Sequence, residues 1–119
     1  HPPFLPQTAH WFNLYRDHGV RAVFSGHEHN LQFSEQSPAT GHMQFVVAGS
    51  GGQLRPANVT RKMAANHIAA WAPQRAFLIV ELNRDKLTIT PVSVNPVRLT
   101  NASGEPVPAP IEVTRTKPN

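Results

Sequence analysis

Residues 76–92 carry a hairpin, and it constrains the fold more than any other stretch. Ala76-Phe77-Leu78-Ile79-Val80-Glu81-Leu82 and Leu87-Thr88-Ile89-Thr90-Pro91-Val92 are rich in β-branched and apolar residues. They flank a polar turn, Asn83-Arg84-Asp85-Lys86. Two strand-length runs with so short a polar link pair locally. Pro91 lacks an N–H for a ladder, so the second strand is expected at a sheet edge, or to end there. A hairpin of this kind needs a further layer to cover its apolar face.

The rest of the chain supplies that layer. Val20-Arg21-Ala22-Val23-Phe24 and Met43 to Ala48 read as two short buried strands. Between them, residues 30–41 read as loop, with a short extended piece at Leu31-Gln32-Phe33. Residues 2–7 hold three prolines and read as loop. Trp11, Leu14, Tyr15 and His18 then recur at helical spacing, which predicts an amphipathic helix over 8–18. Thr8 is its expected N-cap and Gly19 its stop. Val59, Met63, Ile68 and Trp71 stand among alanines and predict a helical turn or two within 59–72, ended by Pro73. From Asn95 onward Pro, Asn, Ser and Gly dominate. The expectation is two parts: a folded portion over 1–94, and an extended, poorly packed, Pro-rich tail over 95–119. Ile111-Glu112-Val113 could form one terminal strand of that tail. There are no internal repeats. Helix, turn and strand at 8–24 is the half-unit of α/β folds, so the expected class is α/β.

Composition excludes several functions. Cysteine is absent, which removes disulfides, thiolate metal sites and cysteine nucleophiles. Lys+Arg is 11 against 7 Asp+Glu, a formal charge of +4. The basic residues are scattered and form no nucleic-acid footprint, although the surplus favours an anionic substrate. No run reaches the length of a membrane-spanning helix. His1-Pro2-Pro3-Phe4-Leu5-Pro6 lacks the features of a signal peptide, and the chain reads as one that starts within a longer protein.

Chemistry concentrates at Gly26-His27-Glu28-His29. Two histidines follow an apolar run, with a glycine that allows a sharp exit from the sheet. Both imidazoles can face one cleft above the carboxyl edge, where open α/β sheets place ligands. Imidazole nitrogen suits zinc, iron, copper and nickel. The residues alone leave two readings open, a metal grip and a pair of polar turn histidines. Of the seven histidines, His18, His42 and His67 read as ordinary surface groups. Gly49-Ser50-Gly51-Gly52 lacks the lysine of a phosphate-cradling loop and reads as a strand-end turn. Ser50 has no partners for a serine hydrolase.

His1-Pro2-Pro3, followed by Gly26-His27-Glu28-His29-Asn30-Leu31-Gln32-Phe33, resembles the two C-terminal motifs of the calcineurin-like metallophosphoesterases. The likeness is to the purple acid phosphatases of the tartrate-resistant type. Val46-Val47-Ala48-Gly49-Ser50-Gly51-Gly52 is similar to that family's next strand end, and 76–92 to its closing strands. The likeness spans roughly residues 1–92. It implies the C-terminal half of a β-sandwich flanked by helices, and hydrolysis of phosphate monoesters, or of diesters, at two metal ions bridged by hydroxide. Those ions would be Fe, Zn or Mn. It makes His1 and His27 ligands of one metal and His29 a ligand of the other. His10 stands where the family has a group near the leaving oxygen; its other reading is a polar residue in the first helical turn. Two cations about 3.5–4 Å apart clamp the attacking and leaving oxygens of a phosphate ester and acidify a bound water.

The family's carboxylate motifs have no counterpart in these 119 residues. Asp17 and Asp85 stand in no matching context. The implied partners are therefore a phosphate-ester substrate and an N-terminal half carrying the carboxylates, with no specific nucleic acid and no membrane. The alternative is a non-catalytic module that binds at most one metal. The resemblance leans towards a secreted or periplasmic location.

Overall fold

Gly19 is where the first element stops, and the reason is backbone geometry. The computed structural model describes residues 5–26, 30–52 and 63–114. Helix α1 spans Leu5–Asp17. Val20 N–H donates to Tyr15 O at 3.0 Å and Gly19 N–H to Arg16 O at 3.3 Å. Gly19 has φ +74°. This pair of bonds around a left-handed glycine satisfies carbonyls that the helix end would leave unpaired. A Cβ on Gly19 would meet nothing within 4 Å, so a substitution there costs backbone strain alone. Gly19→Ala is expected to lower stability by about 1 kcal/mol, and Gly19→Asn by less. Urea midpoints at equal slope measure both.

The helix begins three residues earlier than Thr8. Thr8 is therefore inside α1 and is not its N-cap. Pro6 falls in the first turn, where a missing N–H costs nothing.

Nine strands follow among the described residues: β1 Ala22–Ser25, β2 Leu31–Ser34, β3 Gln44–Ala48, β4 Ile68–Ala72, β5 Phe77–Leu82, β6 Lys86–Val92, β7 Leu99–Thr100, β8 Pro106–Val107 and β9 Ile111–Thr114. One sheet has six strands in the order β1-β3-β2-β4-β7-β8, and the other has three, β5-β6-β9. The fold is thus mixed α/β, mostly sheet with one described helix. The hairpin at 76–92 forms as expected, with Phe77 opposite Val92 and Leu82 opposite Leu87. Pro91 sits within β6, the central strand of its sheet. It lies past Ile89, the last β6 residue paired with β9, so its lost donor falls where the ladder is already open.

The two sheets share one core. Leu31, Phe33, Val46, Ala70, Ala72 and Leu99 come from the larger sheet, Ile89 and Val113 from the smaller, all at most 2 % exposed. Alternation along β3 sends Val46 into this core and Phe45 to the opposite face. There the Phe12 ring of α1 stacks on Phe45, centroids 6.3 Å apart and planes 7° from parallel. Gly41, at φ +62°, passes 3.2 Å from the Phe12 ring edge by its would-be Cβ, so both its conformation and its space require glycine. The layers run helix, six-stranded sheet, three-stranded sheet, an arrangement consistent with a β-sandwich.

Two further expectations are corrected, beside those for Thr8 and for Pro91, whose strand is central and not at an edge. Residues 68–72 are strand, not helix. Ala70, Trp71 and Ala72 are buried between β2 and β7, and this pairing overrides the helical preference of alanine. Residues 63–67 form turns, while 59–62 lie outside the described residues. The described part of the Pro-rich tail, 95–114, is not poorly packed: Leu99 and Val113 are 2 % exposed and belong to the core. The terminal strand expected at 111–113 is β9.

Candidate functional site

The expected metal motif adjoins the carboxyl edge of β1. β1 and β3 are parallel, with Ser25 opposite Val47, so both strands end at the same edge. β2 runs antiparallel on the far side of β3, Leu31 opposite Ala48. Gly26 thus leaves the sheet on one side of β3 and Asn30 re-enters on the other, about 10 Å away across two strand spacings. Asn30 is anchored. It is 2 % exposed, its carbonyl accepts from Gly49 N–H at 3.1 Å, and its side-chain oxygen accepts from Gln32 Nε2 at 2.8 Å. Gly26 is exposed, and a Cβ on it would meet nothing within 4 Å. His27, Glu28 and His29, the residues between these two points, lie outside the described residues, as does His1.

Gly49-Ser50-Gly51-Gly52 leaves β3 at this same edge. Its turn forms as expected, and Ser50 ties the two sheets together: its carbonyl accepts from Ala76 N–H at 3.1 Å. Ser50 is 1 % exposed, and its Oγ has no hydrogen-bond partner among the described residues. An unpaired buried hydroxyl costs about 1–3 kcal/mol. Ser50→Ala is therefore expected to leave stability unchanged or to raise it by about 1 kcal/mol, read from urea unfolding. Beside it lies a cavity of about 370 Å³ walled by Phe24, Leu31, Ala48, Phe77 and Val80.

His10 is on α1, exposed, with its ring edge-on to Trp11 at 5.7 Å. Among the described residues no three of His, Cys, Asp and Glu converge on a point that would hold a metal. The described carboxylates are engaged elsewhere or open to solvent. Glu35 bonds His67 Nδ1 at 2.8 Å and Glu112 pairs with Lys86 at 3.3 Å. Asp17 and Asp85 line a cavity together with Gly19 and Arg21, at the opposite end of β1 from the motif. Neither can bridge metals at the carboxyl edge.

The donor chemistry thus fits a borderline metal in one respect only. The three imidazoles expected as ligands are of the right softness, and no described carboxylate stands at the carboxyl edge of β1 and β3 to bridge two metals. No described helix is long and apolar enough to cross a membrane. The chain matches no family model and no curated protein.

Proposed function

We propose that this chain supplies the histidine side of a dinuclear metal centre that hydrolyses phosphate esters, with His1 and His27 on one metal and His29 on the other. One observation carries the reading: Gly26 at an exposed strand end and the buried, hydrogen-bonded Asn30, the residues that flank His27-Glu28-His29 in sequence, both stand at the carboxyl edge of a parallel strand pair. Ligand-binding loops of α/β sheets occupy that edge. The motif's order after His1-Pro2-Pro3 and its Asn-Leu-Gln-Phe continuation support the same reading.

When bound, the metal pair would supply Lewis acidity and a nucleophile of lowered pKa. The residues would do the rest. Neutral imidazoles of His1, His27 and His29 would hold the metals through their ring nitrogens. Protonated His10 Nε2–H or Nδ1–H would give its proton to the departing alkoxide oxygen. Glu28, between the two histidines, would hold neither metal. Carboxylates from outside these 119 residues must complete the centre, so the activity belongs to a protein or complex that provides them.

The absence of an available carboxylate at the described edge favours one second reading, a non-catalytic module that binds at most one metal. Assay of p-nitrophenyl phosphate hydrolysis with zinc, iron or manganese separates the two. Metal-dependent turnover that appears only with the complementing carboxylate-bearing segment supports the hydrolase. No turnover with that segment bound supports the module.

A further inference from the structure

The basic residues, dispersed in sequence, meet at one place. A cavity of about 620 Å³ lies between the α1–β1 turn and the tip of the β5–β6 hairpin. Arg16, Arg21, Arg84 and Lys86 line it, four of the chain's eleven Lys and Arg, against two carboxylates, Asp17 and Asp85. These cations come from the helix end, the start of β1, the hairpin turn and β6. We propose that this cavity binds an organic phosphate of nucleotide size, at a site separate from the candidate metal edge.

The charges are disposed for an incoming anion. Asp17 is already engaged by Arg16 Nε at 3.3 Å, an exposed pair that a ligand can share. Lys86 meets Glu112 at 3.3 Å, and Glu112 is not part of the lining. The Arg84 guanidinium has no partner among the described residues. Its turn is held without it, because Asn83 Oδ1 accepts from Asp85 N–H at 3.2 Å and from Lys86 N–H at 2.9 Å. The carbonyls of the α1 terminus are capped by His18, Gly19 and Val20 N–H groups, which limits their repulsion of an anion. Arginine favours phosphate because its planar fork matches two oxygens at once.

The floor suggests the rest of the ligand. Leu87 and Val113 contribute apolar surface beneath the cations, and Val113 is 2 % exposed. The volume falls within the range of small-molecule pockets, about 300–1,000 Å³, and exceeds what inorganic phosphate needs. Arg21 precedes β1 and Gly26 follows it, so the two sites stand about 17 Å apart, five residue steps along the strand.

Titration of the isotope-labelled chain with ADP, with EDTA present to keep metal off the histidines, tests this. The expected result is amide shifts confined to residues 17–21 and 83–87. Arg84→Glu should weaken the affinity at least tenfold, the order of one charge-assisted hydrogen bond. Arg98→Glu, an exposed cation outside the cavity, should leave it within twofold. Three results would each overturn the proposal: no shifts at millimolar ADP, shifts spread over every basic surface, or equal losses in the two variants. Shifts confined to Gly26, Asn30 and Gly49–Gly51 would also overturn it, and would speak for binding at the metal edge instead.

Discussion

His27→Ala and His29→Ala are each expected to lower metal-dependent hydrolysis of p-nitrophenyl phosphate at least ~100-fold in the complemented protein. Loss of a group that merely orients a metal ligand costs about 10–100-fold, so loss of a ligand itself should cost no less. The drop should come with lost metal, measured in the same sample, and not with lost fold. Both histidines fall between Gly26, whose would-be Cβ meets nothing, and Asn30, which is fixed by its own hydrogen bonds. His10→Ala should behave differently. If His10 protonates the leaving group, its loss lowers the rate on esters with poor leaving groups and spares p-nitrophenyl phosphate, whose phenolate needs little help. Metal content should be unchanged, because His10 is exposed on α1.

Phe33→Ala is expected to destabilise the chain by about 3–5 kcal/mol, the usual cost of emptying a buried phenyl site. Phe33 is 1 % exposed. It stands on β2, which pairs with β3 on one side, Phe33 opposite Val46, and with β4 on the other, Phe33 opposite Ala70. Those neighbours are small or β-branched and cannot swing in to fill the space. For a domain whose whole stability is about 5–15 kcal/mol, that loss could leave little folded protein at 37 °C. Val94→Ala supplies the contrast: Val94 is fully exposed at 101 % and its truncation should change stability by less than about 0.5 kcal/mol. Chemical denaturation of the three proteins, compared at equal slope, reads both numbers.

β5 is the exposed edge of the smaller sheet. Phe77 is 59 % exposed and Leu82 is 78 % exposed, on the outer strand of the three-stranded sheet. The hairpin was readable because its signal is local: two apolar runs and a polar turn. β1 and β3 were readable as strands for the same reason, each a short apolar run, but the expected burial of β1 is corrected: Ala22 and Val23 are half-buried and Phe24 is 44 % exposed. β2 was not readable as a central strand. Its four residues include Gln32 and Ser34, and its burial comes from partners on both sides. β4 was misread because its alanines favour helix in isolation, and only the β2 and β7 ladders make it a strand. The tail's contribution to the core rests on Leu99 and Val113, two single residues in Pro-rich surroundings, which no periodicity announces.

The candidate site divides in the same way. Gly26-His27-Glu28-His29 announces itself in a line of sequence. That β1 and β3 are parallel, and that their carboxyl ends share an edge with Ser50, depends on long-range pairing. The basic cavity was hidden, because Arg16, Arg21, Arg84 and Lys86 come from two regions some sixty residues apart. Asp17 and Asp85 looked like carboxylates without a context; the fold gives them one, at the end of β1 away from the histidines.

Zinc titration of the 119-residue chain, followed by X-ray absorption of the bound metal, tests the histidine centre most directly. The account predicts at most one zinc per chain, a first shell of imidazole nitrogen and water, and loss of binding in the His27→Ala/His29→Ala double variant. Two zinc ions per chain, or zinc retained undiminished by the double variant, would contradict it.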